Sequence, residues 1–180
     1  MNAMKQIRIE KLTLNFGAGA NQDNLKKGMK LLKNLTGIEP IKTISDKRIP
    51  SWSVRPGLPV GCKITLRGQK ANDLLIRLLK AKENKLLPNH FDDRGNVSFG
   101  IHEYIDVPDL TYDTSIGIIG FQVSITLKRP GFRIKERKKL KRKIGKSHLI
   151  TQKDSIDFFK NTFKISVEEE QWPHQIQIKC

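Results

Sequence analysis

Apolar residues recur along this chain with two different periods, and each change of period marks an element. Residues 5–17 (KQIRIEKLTLNFG) alternate in two phases, Ile7 and Ile9 and then Leu12, Leu14 and Phe16. That pattern predicts a strand with a bulge or bend near Glu10–Lys11. Gly17-Ala18-Gly19-Ala20-Asn21 ends it in a turn. From about Asp23 to Thr36 the period becomes helical, with Leu25, Met29, Leu32 and Leu35 on one face and Gly37 as the stop. A short strand at 38–44 leads into residues 45–59, where Pro50, Pro56, Gly57 and Pro59 forbid regular pairing and predict a protruding loop.

Between 60 and 67 the alternation is clean. Val60, Cys62, Ile64 and Leu66 face one way, and Gly61, Lys63, Thr65 and Arg67 the other. A helix over about 71–81 buries Leu74, Leu75, Leu78 and Leu79. Residues 84–96 are irregular around Pro88 and Gly95, and a strand follows at 97–101. After a loop through Pro108 and Gly117, a strand at 118–127 sets Ile119, Phe121, Val123, Ile125 and Leu127 opposite Gln122, Ser124, Thr126 and Lys128. The last helix starts at Thr151, where Thr151-x-x-Asp154 resembles a capping box, and buries Ile156, Phe159 and Phe163.

This order predicts an α+β fold, a mainly antiparallel sheet with helices packed on one face, plus a long basic loop. The second sheet face is then polar. With 180 residues the chain suits one domain, placed at 1–165, followed by a tail at 166–180 that is expected to be flexible.

Charge sharpens the picture. Lysine and arginine total 34 against 18 acids, a formal net charge of +16. Eleven of the cations fall between Lys128 and Lys146, where Glu136 is the only acid. Such a block cannot pack in a core and needs a polyanion, so the segment 128–148 is predicted to bind RNA. Its candidate contacts are Arg129, Arg133, Lys135, Arg137, Lys138, Lys139, Lys141, Arg142 and Lys143. Pro130, Gly131 and Gly145 punctuate a loop, while Leu140 and Ile144 suit a short helix once the charges are neutralised. A membrane role would need a wide apolar face with aromatic anchors, and only Phe132 and Ile134 lie nearby. The longest nearly apolar run, Ile116–Phe121, falls far short of the roughly 20 residues that span a bilayer. The first ten residues lack the apolar stretch of a secretory signal, and two cysteines build no disulfide framework, so a reducing cytoplasm is expected.

Catalytic patterns are weak. Gly17-Ala18-Gly19 sits between strand and helix as a dinucleotide loop would, but Gln22 replaces the third glycine of the motif. His90-Phe91-Asp92-Asp93-Arg94 raises the alternative of a metal-dependent RNA-processing enzyme, yet it lacks a second ligand group at metal spacing and suits a turn before Gly95. Cys62 shares the apolar side of its strand and is expected to be a core thiol. No cofactor or metal site is predicted. Glu168, Glu169, Glu170 and Trp172 form no recognisable motif.

Three segments resemble one family, the 5S-rRNA-binding ribosomal protein numbered five of the large subunit. They are Ile9–Gly19, Arg55–Gly68 and Phe91–Gly100, in the family's order and spacing, and the likeness runs over about 4–165. The basic segment resembles the archaeal and eukaryotic branch. The resemblance implies a structural ribosomal protein, not an enzyme, in the cytoplasm. It implies docking of the sheet's exposed face on 5S rRNA through Asn15, Thr43, Lys63, Thr65 and Arg67. It also implies that residues 47–58 reach P-site transfer RNA, with Lys47, Arg48, Trp52, Ser53, Arg55, Pro56 and Gly57 in contact. Large-subunit rRNA, neighbouring proteins of the central protuberance and the small-subunit head complete the implied partners. Ile38 stands where members often carry glutamine, and Asp46 where they are usually basic.

Overall fold

The structure is a computed structural model that describes residues 2–167. Strands β1 (Arg8–Gly17), β2 (Ile41–Ile44), β3 (Pro59–Leu66), β5 (Asn96–Ile101) and β6 (Phe121–Lys128) form one antiparallel sheet in the order β2-β3-β1-β6-β5. A two-stranded parallel pair joins β4 (Lys85–Leu86) to β7 (Ser166–Val167). The helices are α1 (Gln22–Thr36), α2 (Gln69–Ala81), the single turn α3 (Arg133–Glu136) and α4 (Gln152–Phe163).

Strict alternation places Leu12, Leu14 and Phe16 of β1, Cys62, Ile64 and Leu66 of β3, and Val123, Ile125 and Leu127 of β6 in one buried layer. α1 packs on β1 and β3, and α2 packs on β1, both from that side. They bring Leu25, Leu31, Leu32 and Leu35, and Leu74, Leu75, Leu78 and Leu79, each buried. Burying one such side chain contributes about 1.5–3 kcal/mol, so this face is what holds the sheet. The register slips between Ile9 and Lys11, and this bulge is why the apolar phase changes there.

Local signals explain the element ends. Asn21 Oδ1 accepts hydrogen bonds from the backbone N–H groups of Asp23 and Asn24 and starts α1, and Gly37, at φ 69°, closes it with its N–H on Lys33 O. The α1 stripe is rotated from the expected one. Gly28 and Leu31 are buried while Met29 is only half-buried, because the helix lies directly on the Phe16 ring.

Several expected boundaries shift. Residues 38–40 lie outside β2, and 118–120 lie outside β6. Ile119 O accepts from Tyr104 N, and a Cβ on Gly120 would sit 2.5 Å from the carbonyl oxygens of Ile101 and His102, so the chain leaves the ladder there. Within 84–96, β4 pairs with residues expected to belong to the tail. The rest of that tail, 168–180, lies outside the described residues. The loop 102–120 is clipped to both sheet-covering helices. Lys30 Nζ meets Asp113 Oδ2 at 2.8 Å and donates to Ser115 Oγ, while Arg77 reaches Asp109 at 3.3 Å and Pro108 O at 3.0 Å.

Candidate nucleic-acid interface

On the helix-free face, register puts polar side chains in rows across the strands. One row runs Ile41, Lys63, Asn15, Gln122, Gly100, and Asn15 Nδ2 donates to Gln122 Oε1 at 3.0 Å. The next runs Thr65, Thr13, Ser124, Ser98, and Ser98 Oγ donates to Ser124 Oγ at 3.2 Å. A third runs Lys11, Thr126, Asn96. Thr43 stands opposite Gly61, where any Cβ would meet Phe16 O at 2.5 Å and Thr43 Oγ1 at 3.0 Å. Arg67 follows β3 and is exposed.

Asn15, Thr43, Lys63 and Thr65 therefore share one face as expected. Lys11, Thr13, Ser98 and the exposed Ile41 join them, which the strand pairing shows and the linear pattern did not. No carboxylate or aromatic ring stands on this face among the described strand residues.

The loop at 45–59 is a built projection. Ser45 N donates to Leu58 O and Gly57 N to Ser45 O, which close its base beside Asp46 and Lys47. Ile49 and Val54 bridge across its tip, around a turn at Pro50–Trp52 and Ser53 at φ 54°. Arg55-Pro56-Gly57-Leu58 is a type II turn: proline presets the second position, Gly57 supplies φ 83°, and Leu58 N donates to Arg55 O at 3.1 Å. Trp52 is 69% exposed, and Arg48 and Arg55 flank a cleft of about 230 Å³ with Pro50 and Ser53.

In the basic segment the structure divides the expected contacts. Arg133, Lys135, Arg137, Lys138, Lys139, Lys141, Arg142 and Lys143 are exposed. Arg129 is not. It is 7% exposed, pairs with Asp154 Oδ2 at 3.0 Å and donates to Leu149 O at 2.9 Å, so it anchors the segment from inside. Phe132 is buried against His148, whose Nε2 lies 2.8 Å from Pro130 O. The short helix forms at Arg133–Glu136 over this anchor. It does not form at Leu140, which is 77% exposed with φ 52°.

Asp154 also closes the capping box with Thr151. Burial works to raise its carboxyl pKa, but the Thr151 N–H and hydroxyl and the Arg129 guanidinium together hold it below the ordinary value.

The enzyme-like motifs have structural uses. Ala18 N and Gly19 N both donate to Val60 O, so the glycine turn ties β1 to β3. Asp92 Oδ2 accepts from Asn96 Nδ2 at 2.9 Å within a turn closed by Gly95 at φ 78°, which leads into β5. Burial pushes the Cys62 thiol up to about 11, so it stays protonated. No three metal-ligating side chains gather among the described residues, and no described helix is long and apolar enough to cross a membrane.

A family model for Ribosomal protein L5 matches residues 2–55, and a second, for the C-terminus of the same ribosomal protein family, matches residues 59–158. Both matched parts contribute strands to the one sheet. The large ribosomal subunit protein uL5 of Sulfurisphaera tokodaii is 41% identical over 170 residues, 94% of this chain and 96% of that protein. The uL5 protein of Methanosphaera stadtmanae is 39% identical over 93% of this chain and 100% of its own length. That of Nanoarchaeum equitans is 42% identical over 91% and 97%. With two matched models and such relatives, the chain belongs to the ribosomal protein L5 family, a family of structural ribosomal proteins and not of enzymes.

Proposed function

We propose that this chain is a structural constituent of the large ribosomal subunit that holds 5S rRNA against large-subunit rRNA in the central protuberance, with residues 47–58 touching P-site transfer RNA. The observation that carries the reading is the makeup of the open sheet face. Rows of hydroxyls and amides cross it, with Lys11, Lys63 and Arg67 beside them and neither carboxylate nor aromatic ring among its described strand residues. Sheets that read single-stranded bases rely on aromatic rings for stacking. A face of threonines, serines and amides suits instead the 2′-hydroxyls and phosphates of folded RNA.

The eight exposed cations at 133–143 supply phosphate contacts, which give affinity without sequence choice. Arg48, Arg55 and Trp52 give the loop two charges and a ring with which to meet a second RNA, the transfer RNA. Neighbouring proteins of the central protuberance and the small-subunit head are the remaining partners, and the site of action is the cytoplasmic ribosome.

The test is binding of 5S rRNA by the full chain and by the double variant Thr65→Ala, Arg67→Ala. Reduced affinity is expected, and unchanged affinity would sink the sheet-face assignment. Engaging about 6–10 phosphates should also cost roughly three to five decades of affinity between 50 and 200 mM salt. For the loop, Arg48→Ala with Arg55→Ala should weaken crosslinking of the ribosome-bound protein to P-site transfer RNA and leave 5S rRNA affinity intact.

A further inference from the structure

At one corner of the open sheet face the side chains draw back and leave a cleft of about 320 Å³. Asn15, Gln122 and His102 supply its polar side chains, while Phe16, Ile101 and Phe121 border it with their own side chains buried in the core. In a chain with 34 lysines and arginines, neither a cation nor a carboxylate stands among the described residues of its wall. The cleft therefore suits an uncharged group rather than a phosphate.

Gly17 and Gly100 form its floor. Gly100 stands opposite Gln122, which stands opposite Asn15, and Gly17 is the next position of β1 on the same face after Asn15. An added Cβ at either glycine would meet nothing within 4 Å, and neither has a positive φ, so the fold itself does not require glycine there. Gly61 and Gly120 nearby differ, since backbone carbonyl oxygens lie 2.5 Å from where their Cβ atoms would stand. Glycine weakens a strand, and where packing does not demand it, it suits a surface that a ligand approaches closely.

Asn15 Nδ2 donates to Gln122 Oε1, which leaves Asn15 Oδ1 as an acceptor and Gln122 Nε2 as a donor with no partner among the described residues. An amino group beside a ring nitrogen, the edge of adenine or cytosine, offers the matching donor and acceptor. A flat base lying on backbone that lacks Cβ atoms uses the clearance of the two glycines, and the exposed His102 adds a ring for stacking.

We propose that this corner of the sheet seats one unstacked adenine or cytosine of the bound RNA, with Gly17 and Gly100 beneath it and the Asn15–Gln122 pair reading its amino edge. The proposal rests on the reading of the open face as the 5S rRNA surface. It adds a base contact to a face whose other groups address ribose and phosphate, and so selects which stretch of RNA the sheet accepts.

Gly100→Val fills the floor with a side chain that suits strands, so its thermal midpoint is expected to equal or exceed the parent's. Its affinity for 5S rRNA should fall roughly tenfold, as should that of Gln122→Ala. Where the valine variant loses stability, Gln122→Ala carries the test, because that side chain is exposed. Dimethyl sulfate, which methylates N1 of adenine and N3 of cytosine, gives the direct readout. At least one such nitrogen should react in free 5S rRNA, be protected by the parent, and react again in complexes saturated with either variant. Parent-like affinity in both variants, beside the loss expected of Thr65→Ala with Arg67→Ala, would overturn the base seat and leave the sheet-face reading standing. Weakened binding with the parent's protection pattern would overturn it as well, by giving the cleft to the RNA backbone. A parent protein that ignores 5S rRNA would remove both.

Discussion

Gly28 of α1 lies against the ring of Phe16, the last core residue of β1, so closely that an added Cβ would stand 2.1 Å from Phe16 Cδ1. Alanine in a helix interior ordinarily gains about 0.5–1 kcal/mol over glycine. Here the ring is buried beneath the helix and has no exposed space to enter. Gly28→Ala is therefore expected to destabilise by about 1–3 kcal/mol, the usual cost of overpacking. Denaturant unfolding should show a lower midpoint with an unchanged slope. Adding Phe16→Leu should recover part of the loss.

Arg129 belongs to the basic segment by sequence and to the interior by structure, which separates stability from binding. Removing Asp154 leaves the 7%-exposed guanidinium with backbone carbonyls alone and also opens the Thr151 cap. Breaking a buried pair costs roughly 3–5 kcal/mol, and Asp154, with 38% of its side chain exposed, places this one toward the low end. Asp154→Ala should lower the thermal midpoint by several degrees, whereas Lys139→Ala, on an exposed cation, should leave it unchanged. Equal midpoints for the two variants would contradict the anchor.

Legibility in the sequence followed how local each cause was. The bulge at Glu10 is readable because it flips the apolar phase, and the Thr151–Asp154 cap because its two partners lie three residues apart. The open face is readable on β3 and β6 singly. Its extension through Thr13 and Ser98 needs the pairing of strands distant in sequence. The pairing of β4 with β7 gives no signal, since two-residue strands have no period. Arg129 reads as an RNA contact because counting charges cannot see a carboxylate 25 positions on, and the α3 turn is displaced because Phe132, not Leu140, is the buried anchor. Met29 yields its place to Gly28 and Leu31 for want of any sign that α1 would touch Phe16.

Asp113 gives one arm of the loop clip a pH dependence. The hydrogen bond from Lys30, then those from the Ser115 hydroxyl and N–H, lower its carboxyl from 3.8 to about 2. The folded value lies below the unfolded one, so the contribution is complete above about pH 4 and is lost as pH falls through about 2. Asp113→Asn should thus be less stable than the parent at about pH 5, with the gap closing as acid is added. Denaturant midpoints for both proteins across that range check this, and a gap independent of pH would remove the Lys30 pairing as its cause.

Hydroxyls and cations on the proposed RNA surface should fail in different ways. Thr65 pairs with Thr13 across β3 and β1 on the open face, so Thr65→Val keeps the shape and removes one hydroxyl. A hydrogen bond of about 1 kcal/mol predicts roughly fivefold weaker 5S rRNA binding, with the salt dependence unchanged because no charge is lost. Lys139→Ala removes a charge from an exposed position instead, and should lower the slope of log affinity against log salt by about 0.7–0.9. Titrations at four or five salt concentrations separate these cases. A change of slope for Thr65→Val, or none for Lys139→Ala, would mean that phosphate and ribose contacts are not divided between the segment and the sheet as proposed.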